Sequence, residues 1–590
     1  MKEKTKQLIE IRKHSMAHIL ATAILEIFPE AKLGTGPATN DGFYYDFDLP
    51  KAVTPEDLEI LEKKMKKIIK ENYPFEMQKI SIDKALEKFK KANQPLKVEL
   101  IEKLKEKGEE KVGVYKSGPF VDLCKGPHLE STGEIDTSAF KLTNISGAYW
   151  QADENNQQLQ RIYGVVFATK KEIKQYLFQQ EEAKKRDHRK LGKELDLFTS
   201  SSLVGSGLPL FTPKGTVIRE EIMNNIGNLQ QKLGWERVTT PHITKPELYK
   251  ISGHWDKFKD ELFKVTGKNN AEFVMKPMNC PHHTQIFASS PKSYRDLPIR
   301  YAENGIVYRD EQAGELMGLA RVRHITQDDG HVFCTPEQIE NEIKDIIPII
   351  KDFYNNLEML TNGNYWVSLS LHDPKTPEKY MINDDGLFLE AEKILEKIAI
   401  EQKLPFKKIE GEAAFYGPKL DFQFKDSLGR EMQLGTVQLD FSMPKRFELE
   451  YTDENGEKKT PVMIHRAIAG SLERFMAVMI EHYAGAFPTW LAPVQAGILP
   501  VSEKFSDYAS KLNDTLKKSN IRTEIYNQDE GLGKRIAIAA KQRLPYLLIV
   551  GEKEEQDKTV TIRQRGTKKQ QTLAVDEFVE MIEKKIEKKK

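Results

Sequence analysis

Three cysteines and thirteen histidines are spread over 590 residues, and two groups of them fall in segments dense with polar and turn-forming residues. Cys280 lies in "MKPMNCPHH", His331 in "RVRHITQDDGHVFC" and His465 in "PVMIHRAIAGSLERF". A thiolate and two neutral imidazoles suit Zn²⁺, and three protein ligands leave a fourth position for a substrate. Their wide separation in sequence is no metal signature. A buried cysteine beside ordinary histidines, or Cys–His nucleophilic chemistry, are open readings of the same residues. Near the start, "HSMAH" sets His14 and His18 at i and i+4 on one helix face. "CKGPH" sets Cys124 and His128 four apart around a glycine and a proline. As chemistry these four are a second set of N and S donors for zinc. As plain structure, the first pair is two histidines on a helix.

The charged residues between these groups point to an anion. In "VYRDEQAGEL", Arg309 and Glu311 occupy alternate positions of an expected strand and hence one face. A guanidinium there can grip a phosphate or carboxylate bidentately, and the carboxylate can accept from an exocyclic amine. "GSLERF" puts Arg474 in the first turns of an expected helix, just after a glycine, a second place for an anion. With no Walker-type loop, the pattern suggests a nucleotide laid on an antiparallel sheet; two surface arginines is the alternative.

The elements that must position these residues divide a chain too long for one core. Residues 1–168 read as α+β: an amphipathic helix over about 5–28, the loop and strand "GTGPATNDGFYYDFDLP", helices over about 54–71 and 81–107, then "YKSGPFVDLCKGPHL". Residues 169–195 are nearly all polar with helical spacing, which predicts a solvent-exposed linker helix. Residues 196–490 mix short strands and long helices without βαβ regularity, as antiparallel sheet does. Residues 491–590 alternate strand and helix, predicting a small three-layer α/β domain with a mostly parallel sheet. Their basic end, "KKIEKKK", reads as a solvated helix terminus. A net charge of +1 announces no nucleic-acid partner, and no apolar run approaches the ~20 residues of a membrane span. Three cysteines cannot make a disulfide framework, which points to a reducing cytoplasm.

"YRDE" in a strand–loop–strand unit and "GSLERF" opening a helix resemble motifs 2 and 3 of the class II aminoacyl-tRNA synthetases. "FTPKGTVIREEIMNNIGNLQQKLGWERVTTPHI", ending at Pro241, is similar to their motif 1, the dimer interface. More narrowly, "GHWDKFKDELF", "MKPMNCPHH", "RVRHITQDDGHVFC", "AAFYGPKLDF", "QLGTVQLDF" and "PVMIHRAIAGSLERF" resemble the threonyl-tRNA synthetase family over about residues 10–580. The resemblance implies a multidomain α+β protein: an editing domain, a class II antiparallel-sheet catalytic domain and a carboxy-terminal α/β anticodon-binding domain. It implies a homodimer acting on tRNA(Thr), ATP with Mg²⁺, and L-threonine, in the cytoplasm and away from membranes. Members with a small β-rich domain ahead of the editing domain make its absence here an expectation.

By that resemblance Cys280, His331 and His465 would hold one zinc in the threonine site. Arg309 and Arg474, and Arg321 in the motif 2 strand, would hold ATP phosphates, and Glu311 the adenine amine. Lys419, Gln433, Thr436 and Ser471 would make further nucleotide or substrate contacts. Gln327, Asp329, Tyr416 and Gln438 would line the threonine pocket, with Met278 beneath. His14, His18, Asp122, Cys124 and His128, with Tyr45 and Tyr115 nearby, would form a metal-free editing site that hydrolyses Ser-tRNA(Thr). Glu554 and Arg563 would contact anticodon bases, the alternative being a plain docking domain. Three positions depart from the family's habit: His282 follows Cys-Pro where glycine is common, making His283 the family's histidine, and His324 and Gly330 replace other residues. Two competing functions, a zinc hydrolase of aminoacyl-tRNA and a non-catalytic RNA-binding paralogue, each require a degenerate central site, whereas Arg309, Glu311 and Arg474 are all present.

Overall fold

The computed structural model describes residues 2–39, 42–360, 363–380, 385–426, 429–527, 529–567 and 569–590. The chain forms two compact units, Met1–Glu181 and Glu182–Lys590.

In the first unit the helix Lys2–Ile27 packs on a four-stranded antiparallel sheet ordered Lys32–Leu33, Phe43–Asp48, Gln158–Val166, Phe140–Tyr149. The expected amphipathic character does not hold: residues 7–10 are all exposed, Leu8 and Ile9 among them. From Ser15 to Ile24 every side chain is buried, because the sheet, the helix Leu58–Lys70 and the loop after Leu123 cover it on several sides. The helix expected over 81–107 is two helices, Ile82–Lys91 and Pro95–Glu106. Asn93 adopts φ +52°, and Pro95 cannot continue a preceding helix but suits a first turn. These two helices cover a three-stranded sheet, Glu76–Ser81, Lys111–Ser117 and Phe120–Leu123, which delivers Asp122 and Cys124.

The expected linker helix is also two helices, Lys170–Arg186 and His188–Glu194, broken where the Asp187 side chain accepts from the Arg189 amide. It is not wholly solvent-exposed: Ile173, His188 and Leu191 are buried.

The second unit is built on an eight-stranded sheet. Its order is Glu236–Arg237, Ile299–Tyr308, His324–Cys334, Val462–Ala467, Glu431–Asp440, Lys419–Lys425, Tyr365–Leu371, Phe406–Glu410. All neighbours are antiparallel except the two outermost pairs. One face carries a large core made with the helices Pro213–Gln231, Ile339–Asn355, Asp385–Glu401 and Leu472–His482. Functional residues therefore collect on the other face.

The last domain has a mixed sheet rather than a mostly parallel one. Thr523–Ile525, Ala496–Pro500 and Tyr546–Val550 are parallel, and Thr559–Gln564, reached through the helix Glu552–Asp557, and Gln570–Ala574 add antiparallel. The basic end is only partly solvated, since Lys589 lies 4.6 Å over the ring of Trp490. Among the described residues no helix is long and apolar enough to cross a membrane.

Candidate functional site

Cross-strand register assembles the central site. His331 stands opposite Tyr301 on one side and opposite His465 on the other, and His465 stands opposite Gln438, which faces Lys419. Directly opposed residues share a face, so these strands present one row of side chains. The helix Cys280–Ala288 begins beside that row, and one donor atom from each of Cys280, His331 and His465 lies within 4.8 Å of the others. All three are buried. Burial pushes the Cys280 thiol well above its ordinary range, helped by Asp329 and Asp440. Burial also pulls His331 well below its ordinary range, helped by the charges of His283 and His465.

These donors fit Zn²⁺: neutral imidazoles, a thiol that a divalent cation would deprotonate, and polar support behind each ring. Nε2 of His465 meets Oδ2 of the fully buried Asp440 at 2.9 Å, and the other oxygen of Asp440 accepts from the amides of Ser442 and Met443. Nδ1 of His331 meets Nδ1 of His283 at 2.8 Å, and Nε2 of His283 meets Glu303 at 3.1 Å. Burial opposes ionisation of Glu303, yet His283, Lys276 and the Thr240 amide hold it down at about 2. Asn279 donates to Asp329 at 3.0 Å and reaches Gln327 at 3.5 Å, so those two threonine-pocket candidates line the same space. His254, also buried, brings Nε2 to 3.6 Å from the Cys280 sulfur.

The arginines differ from expectation. The motif 2 strand ends at Tyr308, so Arg309 and Glu311 lie in the loop beyond it and not on alternate strand positions. The chain turns there, with the Glu311 amide donating to the Arg309 carbonyl. Arg321 likewise precedes the strand that begins at His324. Glu311 pairs with Arg321 at 2.6 Å, whereas Arg309 stacks 4.8 Å over Phe258 and reaches the Met278 sulfur at 3.2 Å. Ser471 caps the helix Leu472–His482 by accepting from the Arg474 amide, and the exposed Arg474 guanidinium has no ion pair among the described residues. Asp421 gathers the second-rank candidates: Lys419 at 2.6 Å, Gln433 at 2.8 Å and Thr436 at 2.7 Å. Tyr416 donates to Gln438, which in turn donates to Thr436.

His282 is buried against Tyr249, and neither ring nitrogen has a partner among the described residues; burial brings its pKa down to about 4. It is a neutral filler. Gly330 stands opposite Arg466 on the other face of the sheet from His331, so that departure does not touch the Cys–His–His trio.

In the first unit, Nε2 of His14 and of His128 each lie 3.3 Å from the Cys124 sulfur, and donor atoms of His14, His18, Cys124 and His128 fall within 4.8 Å. His14 Nδ1 faces the Pro127 carbonyl at 3.2 Å, and His128 Nδ1 faces Ser15 at 3.2 Å. Burial lowers the pKa of all three histidines and raises the Cys124 thiol to about 11, so the cluster is uncharged at neutral pH. Asp122 stands behind rather than in the cluster: it binds Lys97 at 2.5 Å, accepts from Tyr45 at 2.6 Å and reaches His18 at 3.6 Å. Tyr115 packs edge-on to His128. In the last domain Glu554 caps its own helix, accepting from Gly551 and from Thr561, while Arg563 is exposed on a strand.

Sequence reading passed over Asn279, His254, Asp440 and Asp421, which all lie inside the segments quoted above. Lys97 and Glu303 carried no local signal, since their partners are remote in sequence.

Comparison with known proteins gives three family matches: tRNA synthetase class II core domain (G, H, P, S and T) at residues 263–483, anticodon binding domain at 495–585, and threonyl and alanyl tRNA synthetase second additional domain at 112–163. A threonine–tRNA ligase of Gloeobacter violaceus is 47% identical over 98% of this chain and 92% of its own. One of Listeria monocytogenes is 45% identical over 97% and 88%. Among solved structures, the RNA binding domain of a Cryptosporidium parvum threonyl-tRNA synthetase matches with a TM-score of 0.64 and 37% identity, covering 68% of this chain and 98% of that one.

Proposed function

The chain belongs to the threonine–tRNA ligase family, class II synthetases with an editing domain, and on that premise we propose which residues carry each step. Activation joins threonine to ATP: a carboxylate oxygen attacks the α-phosphorus and pyrophosphate leaves. The tRNA hydroxyl then displaces AMP from the acyl carbon. Arg309, Arg321 and Arg474 neutralise phosphate charge, with Mg²⁺ accompanying ATP, and Glu311 accepts from the adenine amine. Lys419, Gln433, Thr436 and Ser471 complete the nucleotide and substrate contacts. The acid needs no covalent enzyme intermediate, so positioning and charge neutralisation supply most of the rate.

Threonine and valine are near-isosteres, which an apolar pocket separates by only ~10²-fold. Cys280, His331 and His465 would hold zinc, which would supply Lewis-acid chemistry toward the amino and hydroxyl groups of threonine. Gln327, Asp329, Tyr416 and Gln438 close the pocket around the same substrate, over Met278. The convergence of the three buried donors supports this reading most directly.

Serine keeps the hydroxyl and therefore requires a second sieve. His14, His18, Cys124 and His128 position water and the ester there without a metal, and Asp122 stands behind them, held by Lys97 and Tyr45. Glu554 and Arg563 read anticodon bases, from splayed rather than paired nucleotides. Domains run 1–168, 169–195, 196–490 and 491–590, and a homodimer forms through the segment ending at Pro241. Three free cysteines accord with a cytoplasmic seat.

The test is threonine-dependent ATP–pyrophosphate exchange together with metal analysis, with serine and valine as competitors. Cys280→Ser is expected to lose both zinc and exchange while keeping its fold. Wild-type exchange in a zinc-free Cys280→Ser protein would overturn the metal assignment.

A further inference from the structure

Behind the trio runs a chain of hydrogen bonds whose direction is fixed at its far end. Lys276 is wholly buried, and its ammonium, a donor only, donates a hydrogen bond to Thr240 Oγ1 at 2.6 Å. That hydroxyl, having accepted, donates its own hydrogen to Glu303 at 2.9 Å. The Thr240 amide donates to the same carboxylate at 2.8 Å. Glu303 therefore receives from all sides and has nothing to donate to His283 Nε2, 3.1 Å away, so that nitrogen carries hydrogen. A neutral ring protonated at Nε2 has its lone pair at Nδ1. His331 Nδ1, 2.8 Å from it, must then be the donor, and the lone pair of His331 stands at Nε2. A doubly protonated His283 would reverse the last bond, but it would set a cation directly behind the imidazole offered to a divalent ion, the two ring centroids 4.7 Å apart.

We propose that Glu303 and His283 form a relay that selects the tautomer of His331, so that its Nε2 is offered to the metal; His283 is a positioning residue and not a ligand. The two imidazoles of the trio are thus prepared differently. His465 is held directly by Asp440 through Nε2 and offers Nδ1, whereas His331 is held through a second ring. His283, Glu303, Thr240 and Lys276 are all at most 5% exposed, so the links of the relay are made within the protein.

The inference rests on the zinc reading above. Its test is Glu303→Gln. The Thr240 amide requires the glutamine oxygen, which turns the glutamine NH₂ toward His283 and reverses every bond down to His331. Zinc affinity, measured by competition with a chromophoric chelator, is expected to fall by about 10–100-fold. The d–d bands of the Co²⁺-substituted protein should weaken or shift, while apo thermal melting and Ser-tRNA deacylation stay as in wild type. Should Glu303→Gln fail to fold, Lys276→Met with Glu303→Gln removes both charges and carries the same expectation. Zinc bound by a folded variant with wild-type affinity and an unchanged Co²⁺ spectrum would overturn the relay. A wild-type protein that takes no zinc would overturn the metal reading instead.

Discussion

Two clusters of cysteine and histidine have nearly the same donor chemistry and are assigned opposite uses, so the first prediction separates them. Chelation of zinc should abolish threonine-dependent exchange and leave deacylation of Ser-tRNA(Thr) intact; loss of both activities would place a metal in each. A second prediction concerns pH. Burial lowers the pKa of His14, His18 and His128 below 6.5, so the unfolded chain binds more protons than the folded one as pH falls through that value. Stability contributed by their neutral burial is therefore present above about pH 6.5 and lost progressively below it. Thermal melting should fall between pH 7 and 5, and His18→Asn should flatten the slope, which melting curves across that range would check. His14, His18, Cys124 and His128 were legible as a donor cluster from spacing alone, because i, i+4 on a helix and a four-residue turn are local geometry, whereas their use in editing came only from the resemblance. Lys97 was not, since only the fold brings it to Asp122.

At the scale of elements, the turn before the helix Leu472–His482 decides where Ser471 and Arg474 stand. Asp328 holds that turn by accepting from the amides of Ile468 and Ala469 and from Arg466, and Glu473 ties the helix to Arg219 and Thr326. Gly470 has φ +66°, and a Cβ there would meet the Leu434 carbonyl oxygen at 2.9 Å. Gly470→Ala should cost roughly 1–2 kcal/mol, lower the melting temperature and raise KM for ATP in the exchange assay. The motif 2 strand illustrates the limit of periodicity. Alternation at Arg309 and Glu311 looked like strand, yet the strand's ladder partners run out at Tyr308 and the loop sends the two side chains to different neighbours.

For the molecule as a whole, Arg522 clasps the junction between the helix Pro213–Gln231 and the last domain. It pairs with Glu221 at 2.6 Å and donates to the carbonyls of Trp490 and Ala492. Arg565 adds donations to Ala486 and Phe487. Arg522→Met leaves these acceptors unpaired at about 1–3 kcal/mol each where buried. Pyrophosphate exchange, which needs no tRNA, should survive nearly unchanged, while kcat/KM for tRNA aminoacylation should drop. Parallel assays of the two reactions check it. Equal losses in both would mean that Arg522 supports the catalytic sheet itself.

The sequence by itself determined the family, the domain order and the residue types of both clusters, because those are written in motifs whose members lie within a few positions of one another. It also grouped Cys280, His331 and His465 as donors suited to zinc, though only the resemblance assigned them to one site. The tertiary structure alone decided that His331 and His465 face each other across neighbouring strands, that Arg309 leaves its strand, and that Asp122 is spent on Lys97 and Tyr45. It alone ran a proton-ordered path from Lys276 through Glu303 and His283 to His331. Register and burial join residues far apart in the chain, and no local pattern of polarity records which distant carboxylate a buried ring will meet.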